Sequence, residues 1–231
     1  MSLSQAVRMG LLALLAATPA ARAEAPATWP APTRPAHPPV PQDLAADARG
    51  LAAACLERLG AGYKVLHDPQ RHIVYVSGLD ETTVRFVTGL LTAHADAHRR
   101  MLFPEPLRWN IAVILPTVAD YRRLSPMPKA TGFYHHPSRT LLSISLSGVL
   151  LHEFTHALHH NDQAAAGQFH AVWVAEGLAT LFQTARVEDG RLEVKADPDV
   201  AVLKDALADE DPARHPPPLA ELVAMTGARV E

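Results

Sequence analysis

The segment Leu150–His160, LLHEFTHALHH, places two histidines and a glutamate inside a strongly apolar run. His152 and His156 are four residues apart, so on a helix they share one face and their ring nitrogens can converge. The neighbouring Leu, Phe and Ala residues predict a buried helix, where histidines and a carboxylate without partners are costly. A metal ion removes that cost, because zinc binds neutral imidazole nitrogen.

The motif His-Glu-x-x-His is uncommon by chance. With 13 histidines and 11 glutamates among 231 residues, about 0.03 such motifs are expected in a chain of this composition. A second segment, WVAEGLAT at residues 173–180, carries Glu176 twenty residues after His156, and Gly177 beside it predicts close packing of two helices. Since a catalytic zinc ion takes three protein ligands and a water, Glu176 is the predicted third ligand.

Together these two segments resemble the gluzincin metallopeptidases, and more closely the peptidase-MA-like domains of bacterial exported proteins. The preceding ATGFYHHPSRTLLSIS, residues 130–145, is similar to the glycine-aromatic segment and strand before the zinc helix there. The resemblance extends over about Tyr63–Phe182, roughly half of the chain. It implies an α+β fold: a zincin-like domain with a small mixed sheet, followed by a zinc-binding helix pair.

The resemblance also implies chemistry for particular residues. His152, His156 and Glu176 correspond to the zinc ligands, and Glu153 to the base that activates water. Zinc lowers the pKa of a bound water and polarises a carbonyl group, and Glu153 lies one residue from a ligand. Thr180 follows Glu176 by one helical turn, where a hydroxyl group can orient a ligand. The implied function is a zinc-dependent peptidase with a peptide or protein substrate.

Two departures from the family pattern leave alternatives open. Gluzincins usually place a Tyr or His after the glutamate helix to stabilise the oxyanion. Here the last tyrosine is Tyr134, and the only histidine after Glu176 is His215. Tyr134 and His215 are each a candidate donor of a hydrogen bond to the oxyanion. The alternative for each is a surface or packing role. Only 55 residues follow Glu176, which predicts an open, shallow cleft or one that another chain completes.

Two other functions fit the same pattern. A catalytically weak or inactive zincin-fold domain could bind a peptide or protein in the cell envelope, although a purely structural site has no need of Glu153. A zinc hydrolase of a non-peptide bond is the second alternative, because a metal site does not by itself select the bond. The substrate-binding residues stay unknown: residues 140–145 form either an edge strand for extended substrate or an interior strand.

The N-terminal residues predict export. Residues 1–23 contain Arg8, a short apolar run and the small-x-small sequence Ala21-Arg22-Ala23, which is typical of a signal peptide. The run is too short to span a bilayer, so no stable membrane span is expected after cleavage. Residues 24–42 hold seven prolines and predict a linker. The domain prediction is therefore 43–231, in a periplasmic or secreted protein.

The composition of the chain limits the classes of binding partner that we expect. The formal net charge of -3 gives no reason to expect nucleic acid or an anionic membrane as a partner. The single cysteine, Cys55, cannot form an internal disulfide. His94 and His98 are also four residues apart, but without a neighbouring base or third ligand they predict a solvated helix face.

The remaining pattern gives the order helix, strands, helix, strands, helices, which favours α+β over a wound parallel sheet. Helices are predicted at residues 43–59, 80–102, 118–124, 148–160, 170–186 and 200–208. Strands are predicted at residues 63–68, 72–78, 109–116, on both sides of the turn at 137–138, and at 191–197. A proline break at 216–218 and a last helical turn complete the prediction.

Overall fold

The computed structural model describes residues 37–60, 62–125, 129–194 and 198–209, together with Asp211 and His215. The chain divides into two compact units, of which His37–Lys195 contains the sheet and the predicted metal ligands. The other unit contains one described helix, α6, Pro198–Ala208. The predicted signal peptide, most of the linker, the proline break and the last helical turn lie outside the described residues.

The elements of the larger unit follow the predicted order. It begins with α1 (Leu44–Leu59), β1 (Lys64–Asp68), β2 (Ile73–Ser77) and α2 (Glu81–Met101). It continues with β3 (Ile111–Leu115), α3 (Val118–Leu124), β4 (Gly132–His135) and β5 (Thr140–Ser143). It ends with α4 (Gly148–Ala166), α5 (Val172–Phe182), β6 (Arg186–Glu188) and β7 (Arg191–Glu193).

Five strands form one mixed sheet in the order β1-β2-β3-β5-β4. β2, β3 and β5 run parallel, while β1 and β4 pair antiparallel with their neighbours. β2 and β3 are buried along their whole length, which explains their continuous apolar sequences. The described residues thus form a mixed sheet with six helices, consistent with an α+β fold. The interior alternative for residues 140–143 is correct, and β4 is the edge strand.

Two apolar layers cover the sheet. α2 and α4 pack on one face, and α1 and α3 pack on the other. The core residues of α4 include Leu150, Phe154, Ala157 and Leu158, which are spaced as one helical stripe. Because this stripe fixes the rotation of α4 about its axis, it also fixes the direction in which His152 and His156 project.

Two helix boundaries differ from the sequence prediction. α4 continues beyond residue 160 to Gly167, where a φ of 64° in the left-handed region ends the helix. The helix predicted at 170–186 is wrong at its end, because residues 186–188 form β6 and pair with β7. Asp189 and Gly190, both at positive φ, form the tight turn between these strands. The Asp-Gly pair was the sequence signal for this hairpin.

The prediction that His94 and His98 form a solvated helix face is wrong. Their side chains are 2% and 1% exposed, and they continue the buried stripe of Val87 and Leu91 along α2. The His98 ring stacks on Phe103 with ring centroids 5.6 Å apart. Burial lowers the pKa of His98 to about 3, with the nearby His94 adding to the effect. Both residues therefore act as neutral aromatic core residues.

Asp47 connects α1 to the sheet through an ion pair and hydrogen bonds, and we predict that its replacement lowers the stability of the fold. Its carboxylate accepts two hydrogen bonds of 2.9 Å from the Arg139 guanidinium and one of 3.0 Å from the Asn110 backbone N–H. The Arg139 side chain is 16% exposed, so Asp47→Ala leaves a largely buried charge unpaired. We expect the free energy of unfolding to fall by about 3–5 kcal/mol, measured by urea denaturation.

Glu57 provides the matched control for Asp47. It is an exposed carboxylate on the same helix, α1, and Glu57→Ala should change the free energy of unfolding by less than about 0.5 kcal/mol. Equal urea midpoints for the two variants would show that the Asp47 ion pair contributes nothing to stability.

Candidate metal centre

The structure brings the three predicted ligands together. His152 and His156 project from one face of α4, and their Nε2 atoms are 3.1 Å apart. Glu176 comes from α5, with one carboxylate oxygen 3.3 Å from His152 Nε2 and the other 3.4 Å from His156 Nε2. Among the described residues, these three form the one group of His, Cys, Asp and Glu side chains with this convergence.

The donor triangle fits a zinc ion. Zinc binds histidine nitrogen and carboxylate oxygen at about 2.0–2.2 Å in tetrahedral geometry, which places neighbouring donor atoms about 3.3 Å apart. The two Nε2 atoms are 3.1 Å apart, and each lies 3.3 or 3.4 Å from a different oxygen of Glu176, so each nitrogen has a carboxylate oxygen near that distance. Two imidazoles and one carboxylate, with a fourth position for water, are also the donor set of a catalytic rather than a structural zinc site.

The charge state of Glu176 suits a ligand. Hydrogen bonds with His152 and then His156 hold the pKa of Glu176 well below its ordinary range, although burial acts in the opposite direction. The carboxylate is therefore ionised at neutral pH and can bind a cation without first losing a proton. His152 Nδ1, on the far side of that ring, is buried and has no hydrogen-bond partner among the described residues.

The prediction that Gly177 permits close packing of the two helices is wrong. A Cβ atom at Gly177 would meet no other atom within 4 Å. The close approach occurs at Gly148, where α4 begins and where an added Cβ would lie 3.3 Å from the Gln183 carbonyl oxygen. Gly148 thus allows the start of α4 to approach the chain that follows α5.

Glu153 lies beside the ligands and is held by the edge strand. Its Oε2 atom accepts a hydrogen bond of 2.8 Å from the Tyr134 backbone N–H. Burial raises the pKa of Glu153, while the charges of His156 and His152 and the Tyr134 N–H oppose the rise. A carboxylate with a raised pKa is a suitable general base near neutral pH.

The pairing of β4 with β5 explains why the Tyr134 N–H is available. Tyr134 lies opposite Leu141, and the Ile144 N–H donates to the Thr131 carbonyl oxygen. In an antiparallel pair, hydrogen-bonded and non-hydrogen-bonded positions alternate. Tyr134 therefore occupies a position whose N–H points away from β5, towards the Glu153 carboxylate.

The remaining predicted site residues occupy different positions. The Tyr134 hydroxyl oxygen lies 3.3 Å from His160 Nδ1, and its role as an oxyanion donor stays a prediction. His215 belongs to the other unit, where its Nε2 atom lies 2.6 Å from the Asp209 carbonyl oxygen; its oxyanion role also stays a prediction. Thr180 lies on α5 one turn after Glu176, and its hydroxyl makes no hydrogen bond among the described residues.

Several histidines around α4 form a cluster that the sequence did not predict. His159 and His160 are 2% and 8% exposed, because α4 continues past them. Burial lowers the pKa of His159 to about 4 and of His160 to about 3, so both are neutral. His159 Nε2 lies 2.7 Å from His170 Nδ1, which connects α4 to the chain before α5.

His136 extends this cluster to the turn between β4 and β5. Its ring stacks on His160 with centroids 4.5 Å apart, and lies 5.0 Å from the Tyr134 ring. Burial lowers the pKa of His136 to about 4, and the charge of His156 lowers it further. The period-two pattern that places Tyr134 and His136 on the same side of the strand was the available sequence signal.

The arrangement can perform one kind of chemistry. Three convergent donors can hold a metal ion, and an adjacent carboxylate of raised pKa can accept a proton, which together permit metal-assisted hydrolysis.

Among the described residues, no helix combines the length and apolar character required to cross a bilayer. No family model, no curated protein and no solved structure matches this chain.

Proposed function

We propose that this protein is a zinc-dependent peptidase of the gluzincin type, with a zincin-like fold. The observation that carries the proposal is the donor triangle of His152, His156 and Glu176, at separations of 3.1–3.4 Å, with the Glu153 carboxylate beside it. A structural zinc site takes four protein ligands and needs no base, whereas hydrolysis needs an open position for water and a base beside it. The peptidase-MA-like sequence pattern supports the same assignment.

Each residue of the proposed site has a defined task. Zinc bound by the three ligands supplies a Lewis acid that lowers the pKa of water and polarises a carbonyl group. Glu153 accepts a proton from the attacking water and returns it to the leaving nitrogen. The Tyr134 N–H holds one oxygen of Glu153 during both transfers. The outward-facing peptide groups of β4 other than the Tyr134 N–H offer an extended substrate main-chain partners.

The proposal includes the cellular setting. We propose a peptide or protein substrate and zinc as the cofactor on the basis of the site. We propose a periplasmic or secreted location on the basis of the predicted signal peptide. The competing proposal is a weak or inactive zincin-fold domain that binds a peptide in the envelope. The observation that favours it is the engagement of the Tyr134 hydroxyl with His160, which leaves the oxyanion without an assigned tyrosine.

Metal content and metal-dependent turnover test the proposal. We expect the mature protein, purified without chelator, to contain about one zinc per chain by elemental analysis, and to cleave members of a fluorogenic peptide library. Removal of zinc with a chelator should abolish cleavage, and addition of zinc should restore it. Zinc binding without cleavage of any peptide would favour the binding domain, and absence of zinc binding would exclude both.

A further inference from the structure

The group that stabilises the negative charge on the substrate oxygen is not assigned by the sequence pattern, and the structure offers a candidate. Side chains along β4 alternate between the two faces of the sheet. Phe133 and His135 line a cavity of about 260 Å³ together with residues of α1 and α3. Tyr134 and His136 lie on the other side, against α4, as their ring contacts with His160 show.

His136 lies close to the ligand face of α4. Its ring stacks on His160 with an interplanar angle of 15°, and His160 follows the ligand His156 by one helical turn, a rise of about 6 Å. After burial, the largest influence on the pKa of His136 is the charge of His156, and Glu176 acts in the opposite direction. The stack on His160 therefore places the His136 ring against α4, one helical turn from the ligand His156.

The ring nitrogens of His136 are available to a substrate. Among the described residues, the other rings near it have partners: Tyr134 contacts His160, and His37 contacts the Gln168 carbonyl oxygen. No hydrogen bond to a His136 ring nitrogen is found within the described part of the chain, and the residue keeps exposed surface although its ring packs against His160. An imidazole with at least one N–H at the mouth of the site can donate in either protonation state.

We propose that His136 donates a hydrogen bond to the carbonyl oxygen of the scissile peptide as that oxygen becomes negative. The inference rests on the proposed peptidase function. The water oxygen bonds to the carbonyl carbon, its proton passes to Glu153, and the carbonyl π electrons move to the oxygen that His136 holds. The C=O bond then re-forms, the C–N bond breaks, and Glu153 protonates the leaving nitrogen. His136 donates throughout and loses no proton.

Tyr134 acts as a positioning residue in this arrangement. Its hydroxyl lies 3.3 Å from His160 Nδ1, and His160 supports the His136 ring by stacking. Preorganised donors stabilise developing charge because they need not reorient during the reaction. The proposal thus gives His160 a positioning role, because His160 holds in place the donor that contacts the substrate.

The test compares His136→Ala and His136→Gln in the zinc-loaded full chain. Loss of one oxyanion donor lowers kcat by about 10²–10³-fold, and we expect this fall for the alanine variant, with a KM change below about threefold and with zinc content unchanged. Glutamine retains an N–H donor and should restore part of kcat. His135→Ala is the matched control, since His135 points to the opposite face and should leave kcat unchanged within about twofold.

A second measurement examines the same role without turnover. A phosphinic peptide carries a charged tetrahedral group in place of the scissile amide, and transition-state analogues of this kind bind far more tightly than substrates. Calorimetry should show about 100-fold weaker binding of this probe to His136→Ala than to the unsubstituted protein, with Gln intermediate. An unchanged affinity would overturn the role of His136.

The outcomes separate the two proposals. Full kcat in His136→Ala, or an effect on KM alone, overturns the inference about His136 and leaves the peptidase function standing. Loss of zinc in both His136 variants, with His135→Ala normal, also overturns it, because the residue would then support the metal. If the unsubstituted zinc protein neither cleaves peptides nor binds the phosphinic peptide, the proposed function is overturned, and the inference with it.

Discussion

Glu153→Gln is expected to reduce kcat by about 10²–10⁴-fold while zinc stays bound. The amide oxygen of glutamine can still accept the hydrogen bond that the Tyr134 N–H donates to Glu153, so the side chain keeps its place. It cannot accept the proton of the attacking water. Steady-state kinetics with the best peptide from the library measure the change in kcat. Elemental analysis measures separately whether zinc stays bound.

Glu57→Gln is the matched control for this substitution, because Glu57 is exposed on α1 at the opposite face of the sheet. Its kcat and zinc content should equal those of the unsubstituted protein. Turnover in Glu153→Gln at the unsubstituted rate would remove Glu153 as the base. Loss of zinc from Glu153→Gln would instead show that this carboxylate helps to hold the metal.

Removal of a single ligand has the second large expected effect. Replacement of a group that only supports a ligand weakens metal binding by about 10–100-fold, so His156→Ala and Glu176→Ala should each weaken zinc binding by more than about 100-fold. Each variant also leaves the other two donors, which lie 3.1–3.4 Å apart, without their third partner. Competition against a chromophoric chelator gives the affinity directly.

Thermal unfolding provides an independent measure of the same loss. Zinc at 100 times its dissociation constant stabilises the folded state by about 2.7 kcal/mol, and this zinc-dependent shift in Tm should disappear in both variants. His135→Ala, with the same change of residue type away from the ligands, should retain it. If Glu176→Ala keeps the unsubstituted affinity while His156→Ala loses it, the third ligand is not Glu176 and the gluzincin assignment is wrong.

The predictable parts of the fold depend on local patterns. Asp43, Asp80 and Thr117 each cap a helix with the side chain, and each position could be predicted because capping involves residues within one turn. The burial of His94 and His98 could not be predicted with confidence. A histidine on a helix face becomes a core residue when other elements cover that face, and here Phe103 and Phe182 do so.

The same division applies to the candidate site. His152 and His156 follow from i, i+4 spacing, and Glu176 follows from the need for a third ligand, so chemistry alone suggested all three. The contact of Glu153 with the Tyr134 N–H leaves no trace in sequence, because a backbone donor is the same for almost every residue type. Gly177 shows the reverse error, in which a plausible residue type occupies a position with open space.

The main-chain origin of the hydrogen bond to Glu153 has a consequence for mutational tolerance. Every residue type except proline would supply this N–H at position 134, so in a scan of that position only the proline variant would remove it. The orientation of the donor depends instead on the pairing of Gly132 with Ser143 and of Tyr134 with Leu141. A shift of that register by one residue would turn the N–H inward. Selection on the alignment of the base therefore acts on the strand pairing, whereas selection on the Tyr134 side chain acts through its hydroxyl contact with His160.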